Sequence, residues 1–177
     1  MKPLSLTLKN FGPYINETID FTKFEDSSLF LISGKTGSGK TTIFDGMSYA
    51  LFGESSGKLR LGKEMRSTFA DPSEATEVTL LFKHNEYLYE LNRLPEQELF
   101  KKRGTGVRKQ SAKISLIVKD AQGKELRAYS KRREVDELIQ ELLHLNANQF
   151  AQIVLLPQGE FRTFLIAKSD EKEKVLR

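Results

Sequence analysis

The sequence contains no cysteine, and this absence excludes disulfide bonds and cysteine-based metal sites. Its two histidines, His84 and His144, lie too far apart along the chain to give the spacing of a metal-binding pair. No apolar run approaches the roughly twenty residues that a membrane-spanning helix requires, and the N-terminus alternates between apolar and polar residues, unlike a signal peptide. We therefore expect a protein of a reducing compartment, the cytoplasm, with no membrane partner.

The composition is that of a globular domain with a polar surface, because 38% of the residues are hydrophobic and 29% are charged. A chain of 177 residues can bury one substantial core, so we expect one domain. The net charge of +4 is modest, and the places where charge accumulates are more informative than the total.

The most informative stretch is residues 29–53, with the sequence LFLISGKTGSGKTTIFDGMSYALFG. Its first five residues are mostly apolar and predict a buried strand that ends at Ser33. Residues 34–41 then match the phosphate-loop pattern G-x-x-x-x-G-K-[ST]. The apolar residues that follow have the spacing of one helix face; they are Ile43, Phe44, Met47, Ala50 and Leu51. A glycine loop between a strand and a helix predicts a nucleotide-phosphate site.

The residue types in this loop suit a polyphosphate ligand. Glycine lets the backbone adopt positive φ and approach phosphates closely, and the N–H groups of residues 37–42 are expected to converge on the anion at the helix N-terminus. Lys40 is predicted to reach the β- and γ-phosphates of ATP, and the Thr41 hydroxyl to bind Mg²⁺. The predicted nucleotide-binding residues are Gly34, Lys35, Thr36, Gly37, Ser38, Gly39, Lys40, Thr41 and Thr42.

Alternation of apolar and polar residues predicts antiparallel strands on both sides of this unit. Single strands are predicted at residues 4–11 and 17–21, and hairpins at residues 77–92 and 114–129. The segment between residues 53 and 77 has little periodicity and is long for a loop in a compact domain, so we expect it to be functional or partly structured.

Two helices are predicted after the second hairpin. Ser130 is expected to cap a helix that continues to Leu145. Asn146 and Gln149 resemble a capping box, which predicts another short helix. Four apolar residues follow at positions 153–156 and precede a Pro-Gln-Gly turn, so we expect a buried strand there.

Positive charge accumulates between the two predicted hairpins. Residues 93–113 contain seven basic and two acidic residues, a net charge of +5 that exceeds that of the whole chain. Such a stretch can hold a DNA backbone through counterion release, or it can be a solvated hairpin extension, and the sequence leaves both interpretations open. The candidate DNA-binding residues are Lys101, Lys102, Arg103, Arg108 and Lys109.

These motifs together resemble the SbcC family, the ATPase subunits of bacterial SbcCD nucleases, within the SMC-like branch of ABC-type ATPases. The resemblance extends over nearly the whole chain. It is carried by LKNFGPY at residues 8–14, GKTGSGKTTIFDGMSYALFGE at residues 34–54 and, most specifically, QFAQIVLLPQGEFRTFLIAKSDEKEKVLR at residues 149–177. It implies an α/β fold, namely a P-loop NTPase that forms the N-terminal lobe of an ABC-type ATPase head with an antiparallel β subdomain. Residues 1–169 would form this lobe, and residues 170–177 would begin a coiled-coil arm that is cut short.

The resemblance also implies roles for individual residues. Gln158 matches the glutamine of the Q-loop, which contacts Mg²⁺ and helps to place the attacking water, so Lys40 and Gln158 would be the catalytic residues of this lobe. Arg66, Ser67 and Thr68 fall near the positions that contact the base and ribose. The chain departs from the pattern at Gly12, where archaeal and eukaryotic relatives carry an arginine that approaches the phosphates.

The sequence lacks an apolar run ending in Asp-Glu and lacks a Ser-Gly-Gly signature, both of which the family carries in its C-terminal lobe. We therefore expect the chain alone to bind ATP but to hydrolyse it poorly. The implied partners are its own C-terminal lobe, a second SbcC head in an ATP-dependent dimer, the SbcD nuclease and duplex DNA, in the bacterial cytoplasm at the nucleoid.

Two other classes of protein have the same phosphate loop. In a self-contained P-loop kinase, the basic insertion would serve as the lid over the phosphates. In a docking module without catalysis, the lobe would bind nucleotide and present an apolar surface to a partner lobe.

Overall fold

A computed structural model describes residues 1–24, 32–54 and 62–154 of the chain. The strands are β1 (Lys2–Phe11), β2 (Tyr14–Asp20), β3 (Glu77–His84), β4 (Tyr87–Leu94), β5 (Gln97–Phe100), β6 (Val107–Gln110), β7 (Lys113–Lys119) and β8 (Glu125–Tyr129). The helices are α1 (Lys40–Phe52), α2 (Arg132–Leu143) and α3 (Ala147–Val154), with short 3₁₀ turns at Thr22–Phe24 and Gly62–Met65. No helix in these three ranges is long and apolar enough to cross a membrane.

Six of the strands form one antiparallel sheet in the order β2-β1-β3-β4-β7-β8, and β5 and β6 form a separate hairpin. The prediction of an α/β fold with an antiparallel sheet is therefore confirmed. The predicted hairpins are confirmed as β3–β4 and β7–β8. The first two predicted strands are confirmed as β1 and β2, but β2 begins three residues earlier than expected because the turn after Phe11 needs only two residues.

The core lies on one face of this sheet. Leu6 of β1 lies opposite Leu80 of β3, and both side chains are fully buried. Two residues along, Leu8 lies opposite Val78 on the same face. Helix α1 packs on β1, β3 and β4, and α2 packs on β7. Gly46 permits the close approach of α1 to β1, because a Cβ at this position would lie 2.6 Å from Leu8 Cδ2.

A buried arginine joins the C-terminal end of α1 to the sheet. Arg93 Nε donates to the carbonyl of Ala50 (2.6 Å), and its Nη2 donates to the carbonyl of Leu51 (3.0 Å) and to Asp136 Oδ1 of α2 (2.6 Å). From the sequence, Arg93 counts among the charges of the basic insertion. The structure separates Arg93 from the exposed cations of the insertion, because its side chain is only 5% exposed and its charge is compensated by Asp136.

The helix predicted directly after the second hairpin, which is α2, starts and ends differently from the prediction. Helix α2 begins at Arg132, and its N-cap residue is Lys131, which makes no side-chain capping bond. The prediction that Ser130 caps this helix is wrong, since Lys131 is still extended and Ser130 lies one residue too early. The helix also ends at Leu143, because His144 adopts a left-handed conformation with φ +52°.

The capping box before α3 is confirmed. The N–H of Asn146 donates to Gln149 Oε1 (2.9 Å), and the N–H of Gln149 donates to Asn146 Oδ1 (3.0 Å). The helix then extends through Val154, so the strand predicted from residue 153 is wrong for its first two residues, and its other two residues lie outside the described ranges. A short apolar run cannot distinguish a strand from the continuation of a helix.

Candidate functional site

The predicted phosphate loop connects directly to the N-terminus of α1. Gly37 and Gly39 have left-handed φ values of +84° and +87°, and the N–H of Ser38 donates to the carbonyl of Lys35 (3.1 Å). Gly39 is the N-cap residue of α1, and no side chain among the described residues caps this helix end. Of the strand predicted before the loop, residues 29–31 lie outside the described ranges, and residues 32 and 33 have no regular structure.

The Lys40 side chain turns back across the loop. Its Nζ donates to the carbonyls of Gly34 (2.7 Å) and Lys35 (2.8 Å), which places the ammonium group against the loop. Thr41, in the first turn of α1, is exposed, and Thr42 is half-buried. A lysine cation and a threonine hydroxyl therefore lie at the uncapped end of the helix, where anions are favoured.

The turn between β1 and β2 packs against this loop. Gly12 has φ +57°, and a Cβ at this position would lie 2.5 Å from Thr42 Cγ2. On the other side of the turn, the Tyr14 hydroxyl donates to the carbonyl of Gly39 (3.2 Å). The Gly12 backbone therefore lies close to the first turn of α1, and a side chain at position 12 would require Thr42 to move.

The end of β1 also holds the segment that follows α1. The N–H of Gly12 donates to the carbonyl of Met65, and the N–H of Ser67 donates to the carbonyl of Asn10, both at 2.8 Å. Phe11 and Arg66 form an isolated antiparallel bridge between the two segments. The expectation that this long loop is partly structured is therefore confirmed.

Arg66 holds this segment together from within. Its guanidinium donates to the carbonyls of Glu74 (2.6 Å) and Asp71 (2.8 Å). Burial lowers the pKa of Arg66, and the nearby Asp71 carboxylate opposes that shift. Of the other two predicted base and ribose contacts, Ser67 is buried and Thr68 is exposed. Their role towards a nucleotide stays a prediction.

Sequence reasoning missed a buried polar cluster behind this segment. Asn10 Nδ2 donates to the carbonyl of Ala75 (2.9 Å). Gln97 Oε1 accepts the N–H of Thr76 (2.8 Å), and Gln97 Nε2 donates to the Thr76 carbonyl (3.1 Å). These bonds join residues 21 or 65 positions apart, so no local pattern signals them. The predicted catalytic residue Gln158 lies outside the described ranges.

The basic insertion contains a hairpin, which the sequence supported only as the alternative to a DNA-binding stretch. Strands β5 and β6 pair with Phe100 opposite Val107. The connection between them contains two glycines in the left-handed conformation, Gly104 and Gly106. The five candidate DNA-binding side chains of this insertion are all exposed. Two of them form ion pairs: Lys102 with Glu74 (2.6 Å) and Lys109 with Glu96 (3.1 Å). Such exposed pairs contribute little to stability and leave the cations accessible.

Comparison with known proteins identifies the family to which the chain belongs. A family model described as "AAA domain" matches residues 5–177. The chain therefore belongs to the AAA domain family, and the prediction of an ATPase-type phosphate-loop domain is confirmed.

More specific similarity is to proteins named as the SbcC component of the SbcCD nuclease, so the resemblance predicted from the sequence is confirmed. The chain is 46% identical over 181 residues to the protein of Lactococcus lactis subsp. lactis (strain IL1403), with 100% of this chain covered. It is 44% identical over 176 residues to that of Vibrio cholerae serotype O1, with 99% covered. The chain spans 17% of the length of each of these relatives.

A solved chain described as "Structural biochemistry of ATP-driven dimerization and DNA stimulated activation of SMC ATPases" is similar with a TM-score of 0.47 and 17% sequence identity. The similarity covers 99% of this chain and 98% of that one.

The contact between Gly12 and Thr42 can be tested through stability. We expect Gly12→Ala to lower the free energy of unfolding by about 1–2 kcal/mol for the left-handed backbone, plus a further loss from the clash with Thr42 Cγ2. Urea denaturation measures the total. Gly123→Ala is the matched control, because Gly123 has φ +83° but no residue of the described ranges within 4 Å of its Cβ position.

The clash itself is isolated by Thr42→Ser, which removes Cγ2. In that background, Gly12→Ala should cost no more than Gly123→Ala. If Gly12→Ala lowers the free energy of unfolding more than Gly123→Ala does, and by the same excess whether position 42 is threonine or serine, the proposed packing is contradicted.

Proposed function

We propose that this chain is the ATP-binding N-terminal part of the head of an SbcC-type ATPase. The single observation that carries the proposal is the phosphate-loop sequence folded as an uncapped glycine loop at the start of α1, with the Lys40 ammonium group against it. The whole-chain similarity to SbcC proteins supports the choice among P-loop ATPases.

The residues present fit a nucleoside triphosphate with Mg²⁺. No described residue lies within 4 Å of the Cβ position of Gly37, so the part of the chain that the structure describes leaves the loop open to a ligand at that point. The N–H groups of residues 37–42 would donate hydrogen bonds to phosphate oxygens. The Lys40 ammonium group would exchange its two carbonyl partners for the β- and γ-phosphates. Thr41 would hold Mg²⁺, which neutralises charge that develops on the transferred phosphoryl group when it is bound.

Binding and orientation are the roles that we assign to this lobe. Hydrolysis requires a positioned water and carboxylates that we propose are supplied by a C-terminal lobe, with Gln158 of this chain placing the water. In the whole protein, ATP would join two such heads and couple their dimerisation to the processing of DNA ends by an SbcD nuclease partner, in the bacterial cytoplasm at the nucleoid.

We also propose that the basic hairpin contacts the DNA backbone. Lys101, Lys102 and Arg103 lie next to each other between β5 and β6, and Arg108 and Lys109 lie on β6. All five are exposed, which supports contact with phosphates rather than a structural role.

The nucleotide site is tested by Lys40→Ala. Removing the ammonium group should abolish tight binding of Mg²⁺-ATP, because its bonds to Gly34 and Lys35 hold this cation against the loop where the phosphates would bind. Isothermal titration calorimetry measures the affinity. Lys124→Ala, at the exposed turn between β7 and β8, removes the same charge elsewhere and should leave the affinity unchanged. Unchanged affinity in Lys40→Ala would overturn the site.

The DNA contact is tested by the salt dependence of duplex binding. Each phosphate contact contributes about 0.9 to the slope of log affinity against log salt concentration. Changing Lys101, Lys102 and Arg103 together to alanine should therefore reduce the magnitude of the slope by about 2–3, as measured by fluorescence anisotropy. A triple variant with the slope of the original chain would remove the hairpin from the interface.

A further inference from the structure

The turn between β1 and β2 contacts the phosphate loop at Gly39, the residue from which α1 starts. Glycine has more conformational freedom than any other residue. Helix N-caps are usually fixed by their own Ser, Thr, Asp or Asn side chain, but Gly39 has none. A Cβ at this position would lie 2.8 Å from both Pro13 Cγ and Tyr14 Oη, so these two side chains form the surface against which Gly39 lies.

The Tyr14 hydroxyl fixes the orientation of one peptide plane in this loop. The carbonyl of Gly39 accepts two hydrogen bonds, one from the N–H of Ile43 (3.3 Å) and one from Tyr14 Oη (3.2 Å). Because the peptide unit is planar, the Gly39 carbonyl and the Lys40 N–H have a fixed relative direction. Holding the carbonyl therefore holds an N–H of the phosphate-loop motif.

The turn that carries Tyr14 is itself firmly anchored. Tyr14 pairs with Phe11 across a two-residue turn, and the ring of Pro13 fixes its own φ. The N–H of Gly12 donates to the carbonyl of Met65 (2.8 Å), which ties the turn to a second segment. Burial, with Glu17 nearby, raises the pKa of Tyr14, so the hydroxyl stays a donor at neutral pH.

We propose that Tyr14 is a positioning residue for the phosphate loop. Its hydroxyl keeps the Gly39–Lys40 peptide plane in the orientation in which the Lys40 N–H can donate to a phosphate oxygen. The inference rests on the proposed nucleotide-binding function. Without this bond the loop samples other orientations, and the apparent dissociation constant rises in inverse proportion to the fraction that remains competent.

Tyr14→Phe tests the proposal, since it removes the hydroxyl and keeps the ring. Calorimetric titration with Mg²⁺-ATP and with tripolyphosphate should show about three- to tenfold weaker binding for both ligands, the range that one net hydrogen bond gives. Tripolyphosphate has no base or ribose, so an equal loss for both ligands assigns the effect to the phosphate loop. Tyr87→Phe, which alters an exposed tyrosine at the start of β4, is the matched control and should bind as the original chain does.

A donor at the same place should restore the affinity. With 4-aminophenylalanine at position 14, binding should return to within about twofold of the original chain, whereas a merely structural role of the ring would show neither the loss nor the rescue. Binding by Tyr14→Phe that equals the original, or a loss that 4-aminophenylalanine does not reverse, would overturn the role of Tyr14. An original chain that binds neither ligand would instead overturn the proposed function.

Discussion

The end of β1 and the turn that follows it hold both loops of the candidate site, one through backbone hydrogen bonds and the other through packing and the Tyr14 hydroxyl. Asn10 and Gly12 adopt left-handed conformations with φ +51° and +57°, and both use backbone groups to bind the segment at residues 62–76. Asparagine and glycine are the residues that adopt this conformation at the lowest free-energy cost. The buried hydrogen bonds offset the rest of that cost. With the turn also packed against Thr42 and Gly39, one strand end orients the phosphate loop and the neighbouring segment together.

Helix α1 places the phosphate loop on a rigid support because both of its ends are held. At the N-terminus, the Gly39 carbonyl is bonded to Tyr14. At the C-terminus, the Arg93 guanidinium donates to two carbonyls of the last turn, where a cation is also favoured by the helix dipole. Asp136 compensates the buried charge, so that Arg93 joins α1, β4 and α2 without leaving an unpaired ion in the core.

Features that depend on neighbouring residues could be predicted from the sequence. The phosphate loop has a fixed spacing, the hairpins alternate over long strands, and Asn146 and Gln149 form a capping box within one helical turn. Features that depend on distant partners could not. Arg93 reads as one of several surface cations because its carbonyl partners lie 42 and 43 positions away. Strands β5 and β6 are four residues each, which is too short for alternation to distinguish them from a charged loop.

ATP binding at the start of α1, next to the turn between β1 and β2 that carries Gly12 and Tyr14, is the central claim. Titration of the ¹⁵N-labelled chain with Mg²⁺ and a non-hydrolysable ATP analogue, followed through the backbone amide shifts, tests both parts. We expect the largest changes at residues 37–42, smaller ones at Gly12 and Tyr14, and none along β8. Changes that are largest on β8 or on the basic hairpin, or no change at millimolar ligand, would contradict the claim.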